Sequence, residues 1–274
     1  VSVSYRPKII ATDLDGTIVP HAAPISKRTI RTLTEAHLLG VNILFVTGRP
    51  PRWMSQIKES FDFGQAICMN GAVLWDLHNE SILEQWPIGE KQFKETILRL
   101  RKRIPDVTFA FEDMNHFRRE SKYLARWDIG VDESGVDDIL EIDYSKALKM
   151  LARGSDHSFN SDEMLAIAQA EVSDLVTVTH SNPWESLLEI SAHGVSKGET
   201  LAIIAERLGI DREDVVAFGD NPNDFSMLEF AGRSYAMSDG HVDAIKYATA
   251  TAPPCSEDGV AQIVEELLKL PVRK

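Results

Sequence analysis

The chain has 274 residues, 43% of them hydrophobic and 26% charged, with 29 basic against 42 acidic side chains and a formal charge of −13. That length allows one or two domains with a substantial core. The acidic balance argues against nucleic acid or an anionic membrane as the main partner, and no apolar stretch reaches bilayer length. An anionic small substrate stays compatible with this charge, because a metal and local lysines set the field inside a site. The two cysteines, Cys68 and Cys255, give neither a zinc spacing nor a disulfide framework. With no long apolar segment in residues 1–7, the expectation is a cytoplasmic protein.

The first element is an apolar run, Ile9-Ile10-Ala11-Thr12, which leads into Asp13-Leu14-Asp15-Gly16-Thr17. Strand alternation would send Asp13 and Asp15 to one face, but Gly16 breaks the pattern and the strand should end between them. Two carboxylates crowded at a strand tip repel unless a cation sits between them, and a hard divalent ion such as magnesium meets that need. A helix is predicted over residues 26–39, with Ser26 as N-cap and Gly40 as the stop. A strand over 41–46 ends in Thr47-Gly48-Arg49, and a helix over 51–60 opens with Pro51, which suits a first turn. A third strand, over 66–69, ends at Asn70-Gly71. This βαβαβ order predicts an α/β fold with a doubly wound parallel sheet and right-handed crossovers.

The pattern changes near residue 73. Two short strands flank a turn at 76–81, followed by a basic amphipathic helix over 89–103, a strand over 106–111 and a polar segment over 112–134. A short helix near 162–170 and strands over 175–179 and 187–190 complete an inserted α+β domain. After Lys197, helices over 198–208, 223–231 and 259–270 alternate with strands over 215–218, 233–236 and 248–251. The expected division is a discontinuous core, 1–72 and 191–274, interrupted by an insert over 73–190. Two consecutive domains fail because neither terminal segment has enough strands for a sheet of its own.

Two further motifs stand in the last third: Gly194-Val195-Ser196-Lys197-Gly198 before a helix, and Gly219-Asp220-Asn221-Pro222-Asn223-Asp224 after a strand. Ligands of open parallel sheets bind beyond the carboxyl ends of the strands. Asp13, Asp15, Thr47, Lys197 and Asp220 are therefore expected around one crevice. A carboxylate held there beside a metal can attack phosphorus, which assigns Asp13 as nucleophile. Asp15 is placed to protonate the leaving oxygen and then to deprotonate water. Lys197 supplies a fixed positive charge for the transferring phosphoryl group and a restraint on Asp13. Gly16 and Thr17, with Leu14 beside them, form a turn whose N–H groups are expected to face phosphate. Thr47 reads either as a phosphate contact or as a helix cap, and Gly48 lets the backbone approach. Asn223 is expected on phosphate, Asp220 on the metal, and Asp224 on Lys197 or a metal-bound water.

Asp-Leu-Asp-Gly-Thr, Val-Thr-Gly-Arg, Gly-Val-Ser-Lys-Gly and Gly-Asp-Asn-Pro-Asn-Asp, in this order, resemble the four motifs of the haloacid dehalogenase (HAD) superfamily. The long insert is similar to that of the Cof-type subfamily IIB phosphatases, and the likeness runs from about residue 8 to about residue 268. The resemblance implies a Rossmann-like core and a cap whose antiparallel sheet is flanked by two helices. It also implies a Mg2+-dependent phosphatase of small phosphorylated metabolites, sugar phosphates first, working as a monomer or weak dimer. It gives Asp15 a second role, as a metal ligand through its backbone carbonyl, beside Asp13 and Asp220. It places Asn70 and Gly71 at the substrate entrance, where the residues alone read equally as a hinge or turn. Arg49 varies in such proteins and reads as a tether of its loop.

In the insert, His116, Arg118 and Arg119, with Lys122 and Arg126, form the richest basic patch, either a grip for a second anionic group or a solvated face. Trp86, Trp127 and Trp184 read mainly as packing residues, with stacking on a ring as the other use. Glu189 and His193 flank the return of the chain and are further substrate contacts to test. One departure from the family pattern is Met237-Ser238-Asp239-Gly240-His241, where an Asn-Ala pair is usual. It adds an acid near the metal or changes a turn. Rival functions are a phosphomutase on the same scaffold and a non-catalytic module that binds sugar phosphate or a protein.

Overall fold

The computed structural model describes residues 5–21, 23–126, 134–155 and 159–273. The first part of the chain forms β1 (Ile9–Asp13), α1 (Lys27–Leu38), β2 (Asn42–Val46), α2 (Ser55–Phe61), β3 (Gln65–Cys68), β4 (Val73–Asp76) and β5 (Ser81–Gln85). The middle forms α3 (Glu90–Arg103), β6 (Thr108–Glu112), β7 (Phe117–Arg119), β8 (Lys149–Arg153), α4 (Ser161–Val172), β9 (Val176–Thr179) and β10 (Leu187–Ala192). The last part forms α5 (Lys197–Arg207), β11 (Val215–Gly219), α6 (Phe225–Phe230), β12 (Arg233–Met237), α7 (Ala244–Tyr247), β13 (Ala250–Ala252) and α8 (Gly259–Leu268).

The core sheet has the order β13-β12-β11-β1-β2-β3-β4-β5. From β13 to β3 every pairing is parallel, and β4 turns back antiparallel on β3. Its central strands, β1 and β11, are buried at every residue. Strands covered on both faces by helices need continuous apolar runs rather than alternation, which Ile9-Ile10-Ala11 and Val215-Val216-Ala217-Phe218 supply. The start of α1 is fixed as its sequence suggests: Ser26 Oγ accepts from Thr29 N at 3.0 Å. Gly40 follows the helix at φ +83°, a conformation that disfavours any side chain. Arg28 grips Glu265 with two hydrogen bonds, 2.9 and 2.6 Å, and so pins α1 to α8. The helix expected over 51–60 is split. A 3₁₀ turn over Pro51–Trp53 precedes α2, and Met54 between them leaves the helical path.

The boundaries of the insert move. The chain separates into residues 1–84 with 196–274 and residues 85–195, where 72/73 and 190/191 were expected. The reason is hydrogen bonding: β4 and β5, assigned from sequence to the insert, extend the core sheet beyond β3. The insert is a five-stranded antiparallel sheet of order β7-β6-β8-β10-β9. Phe93, Ile97 and Leu100 of α3 and Met164, Ala168 and Val172 of α4 pack with Phe109, Phe111, Met150, Ala152, Leu188 and Ile190 in one apolar cluster. Both helices thus cover the same face of the sheet. Strands β7 and β8 were not read from sequence, although β8 is the central strand.

Two expectations for the insert fail on geometry. Arg118 and Arg119 are neighbours on β7, opposite Phe111 and Ala110, so their side chains leave opposite faces of the sheet and do not form one patch. His116 is held by Asp113, with Nδ1 3.1 Å from Oδ2. Trp184 is 84% exposed and packs in no core. Trp127 lies outside the described residues. Glu189 is buried and paired with Lys149 at 3.2 Å, and His193 is exposed. Among the described residues no helix is long and apolar enough to cross a membrane.

Candidate active site

The motif residues of the core meet at the carboxyl ends of β1, β2, β3 and β11. Strand β1 ends at Asp13 as its sequence suggests, leaving Asp15 in the loop. Lys197, the first residue of α5, is completely buried. Its Nζ donates to Asp13 Oδ1 and Asp224 Oδ1, each at 2.6 Å. Ser196 caps that helix, accepting from Glu199 N, and this aims the first turn at the strand tips. A cation at a helix N-terminus opposes the helix dipole, so these two carboxylates are what hold the ammonium there.

Asp13, Asp220 and Asp224 each offer a carboxylate oxygen within 4.8 Å of the others. All three are buried. Burial first, and then the charge of Asp224, push the Asp13 carboxyl up to about 7, although Lys197 pulls it down. Asp220 is likewise raised well above its ordinary range by burial and by the charge of Asp13. One lysine facing three carboxylates leaves the cluster short of positive charge. Hard oxygen donors short of a cation fit a hard divalent ion, and Asp13 and Asp220 are the side chains placed to hold it, with Asp224 beside them. Gly16 makes room for this arrangement. At φ +86°, a Cβ there would lie 2.6 Å from Asp220 Oδ2. Thr17 Oγ1 donates to Asp220 Oδ1 at 3.4 Å and Asn221 Nδ2 donates to Oδ2 at 2.6 Å.

Asp224 does more than sequence reading gave it. Its Oδ1 takes Lys197, while its Oδ2 accepts the backbone N–H groups of Asp220 at 2.9 Å and Asn221 at 3.0 Å. One carboxylate therefore orients both the lysine and the loop that carries Asp220. The segment 237–241 packs on that loop from behind. His241 N donates to Asp220 O at 2.6 Å, and a Cβ at Gly240 would fall 2.6 Å from the same oxygen. Here the departure from the family pattern makes a turn, and Asp239 does not join the three grouped carboxylates.

Asp15 lies beside the acid cluster, not within it. Its side chain is 51% exposed and turned to Arg49, whose Nε donates to Oδ2 at 2.8 Å and whose Nη2 donates to Oδ1. Its carboxylate is not among the grouped metal donors. The turn after it also uses its own donors: Gly16 N bonds Val19 O at 3.0 Å and Thr17 N bonds Leu14 O at 3.2 Å. The expectation that these two amides face phosphate is corrected, because they close the turn on the carbonyls of Leu14 and Val19. Leu14 itself is fully buried.

Thr47 caps no helix; its Oγ1 accepts from Arg49 N at 3.0 Å and so shapes the Thr47-Gly48-Arg49 loop. Its N–H and carbonyl bind Ile67 O and Asn70 N, joining the ends of β2 and β3. Met69, Asn70 and Gly71 all have positive φ, at 51°, 56° and 109°. Two non-glycine residues in that region store strain of about 1–3 kcal/mol each. The surroundings hold them there. A Cβ at Gly71 would meet Ser196 O at 2.4 Å, Thr200 Oγ1 donates to Gly71 O at 2.9 Å, and Asn223 Nδ2 donates to Asn70 Oδ1 at 3.1 Å. Asn223 Oδ1 is buried with no hydrogen-bond partner. The Asn70–Asn223 pair and the Arg49–Asp15 pair escaped the sequence reading. The motifs named these residues singly, and nothing in a linear pattern links positions 70 and 223.

Comparison with known proteins agrees with this geometry. The family profile for haloacid dehalogenase-like hydrolases matches residues 10–264. The chain is 29% identical over 280 residues to the 5-amino-6-(5-phospho-D-ribitylamino)uracil phosphatase YitU of Bacillus subtilis, covering 97% of this chain and 99% of the relative. It is 26% identical over 272 residues to the pyridoxal phosphate phosphatase YbhA of Escherichia coli, covering 94% and 97%. A solved structure of a HAD subclass IIB sugar phosphatase has the same fold, with a TM-score of 0.76 at 21% identity over 94% of this chain and 98% of that one. The chain belongs to the haloacid dehalogenase-like hydrolase family and is a phosphatase of its Cof-type branch.

Proposed function

We propose that the protein is a Mg2+-dependent phosphatase that hydrolyses a small phosphorylated metabolite, with sugar phosphates as the first class, through an aspartyl phosphate on Asp13. The observation that carries this reading is the buried Lys197 ammonium 2.6 Å from both Asp13 and Asp224, with Asp220 grouped beside them. In this reading an oxygen of Asp13 forms the new bond to phosphorus while the bond to the leaving oxygen breaks. Asp15 gives its proton to that oxygen, then takes one from the water that releases phosphate and restores the Asp13 carboxylate. Lys197 keeps its charge throughout and offsets the negative charge that builds on the phosphoryl oxygens. Asp13 and Asp220, with the backbone carbonyl of Asp15, would hold the ion, which when bound supplies charge neutralisation between nucleophile and phosphate. Asn223, through the amide N–H that Asn70 does not take, and Thr47, through its hydroxyl, border the phosphoryl group, with Gly48 giving it room. The named relatives act on a ribityl phosphate and on pyridoxal phosphate, which supports a small, hydroxylated monoester.

The test is phosphate release across a panel of phosphorylated metabolites, with magnesium and with chelator. Magnesium-dependent release from a few compounds is expected. Isomer formation without free phosphate would instead mark a mutase, and silence across the panel from folded protein would mark a binding module.

A further inference from the structure

Arg49 takes no part in the chemistry described above, yet both its main chain and its side chain are held. Its main chain is fixed on both sides. The N–H donates to Thr47 Oγ1 at 3.0 Å, and the carbonyl accepts from Met69 N at 3.0 Å. Its side chain is 16% exposed and ends in a fork that grips both oxygens of Asp15. Asp15 sits beyond the end of β1 and is 51% exposed. An ion pair at that exposure adds little stability. What a planar two-point clamp does supply is direction, because it fixes the carboxyl plane and both torsions of a short side chain. A carboxylate has about four acceptor positions. The fork takes two and leaves the others for a proton or a water.

We propose that Arg49 is a positioning residue for phosphoryl transfer, its guanidinium holding Asp15 in the orientation from which it passes a proton to the leaving oxygen. This rests on the reading of Asp15 as the acid and base. As the Asp13 oxygen–phosphorus bond forms, the phosphorus–oxygen bond to the leaving group breaks and its electron pair goes to the leaving oxygen. That oxygen takes the proton of Asp15. Asp15 is then a carboxylate in the grip of the fork, ready to accept the proton of the attacking water. The guanidinium neither gains nor loses a proton.

The experiment compares kcat/KM for two monoesters in the presence of magnesium. One is para-nitrophenyl phosphate, whose leaving group departs as a stable anion and needs no proton. The other is the alkyl phosphate turned over fastest in the metabolite panel, whose leaving oxygen does need one. Arg49→Met should lose about tenfold or more with the alkyl ester beyond its loss with the aryl ester, a fraction of the full general-acid effect. Arg49→Lys keeps the charge without the fork and should show a smaller loss of the same kind. It also serves if the methionine variant does not fold. Asp15→Asn should show the selective loss in full, and adding Arg49→Met to it should deepen that selectivity no further. Equal losses on both esters in the Arg49 variants, with Asp15→Asn selective, overturn the positioning role and leave the acid assignment standing. Equal losses in Asp15→Asn overturn that assignment and this inference with it.

Discussion

Replacing Lys197 by methionine leaves a chain of similar volume with no charge at the centre of the acid cluster. Its Nζ bonds Asp13 and Asp224 at 2.6 Å each, and all three side chains are buried. Removing one partner of a buried ion pair costs about 3–5 kcal/mol, because the remaining charge has no counter-ion. Here two carboxylates lose theirs and a third, Asp220, adds to the repulsion. The cost should depend on pH. Burial and neighbouring charge already push Asp13 up to about 7 with the lysine present, and without it the carboxyl rises further. At about pH 8 the variant must hold ionised carboxylates together and should lose about 3–5 kcal/mol, on the order of 10 °C in melting midpoint. At about pH 5.5 it takes up protons instead, and the loss should shrink to roughly 1 kcal/mol. Thermal melts followed by circular dichroism, with chelator present, would measure both. An equal loss at the two pH values, or none at the higher one, would refute the picture of a lysine neutralising an overcrowded acid cluster.

Other perturbations of the cluster have opposite signs for stability and turnover. Asp13→Asn should abolish phosphate release, since the proposed mechanism gives the phosphoryl no other acceptor, yet raise the melting midpoint of the metal-free protein near pH 8 by removing one of three facing carboxylates. In wild type, the Asp13 carboxyl lies at about 7 against an ordinary 3.8. Between those values the folded state holds a proton that the unfolded state lacks, so metal-free stability should fall as pH rises through this window. Added magnesium should therefore raise the melting midpoint more at about pH 8 than at about pH 6. A magnesium shift that is the same at both would separate Asp13 from the metal. Gly16→Ala should raise the magnesium concentration needed for half-maximal activity by about tenfold or more, because its Cβ would fall 2.6 Å from Asp220 Oδ2. An unchanged magnesium dependence would mean that the loop absorbs the methyl group.

Sequence alone determined the parts that depend on local pattern. Continuous apolar runs that stop at Asp13, Val46 and Gly219 are enough to place buried parallel strands and to put Asp13, Thr47 and Asp220 at their tips. Ser26 and Gly40 mark the ends of α1, the serine by its side-chain cap and the glycine by its positive φ. Four motifs in order then give the family. The extent of the core sheet was not legible, because 73–85 reads as the same short strands whether it joins the core or the insert. Only the pairing of β4 with β3 decides. The central strand of the insert, β8, hides for a related reason: Lys149-Met150-Leu151-Ala152-Arg153 has neither clean alternation nor an unbroken apolar run. All five residues are buried, and Lys149 is accommodated there by its ion pair with Glu189.

Side-chain direction beyond a strand end was equally out of reach. Asp13 and Asp15 are two residues apart, yet one is buried against Lys197 and the other is held near the surface by Arg49. Those partners lie 184 and 34 positions away in sequence. The spacing of two aspartates says only that they are close along the chain. Which one faces the lysine, and which one the arginine, is set by the packing that brings β2 and α5 to the same edge of the sheet.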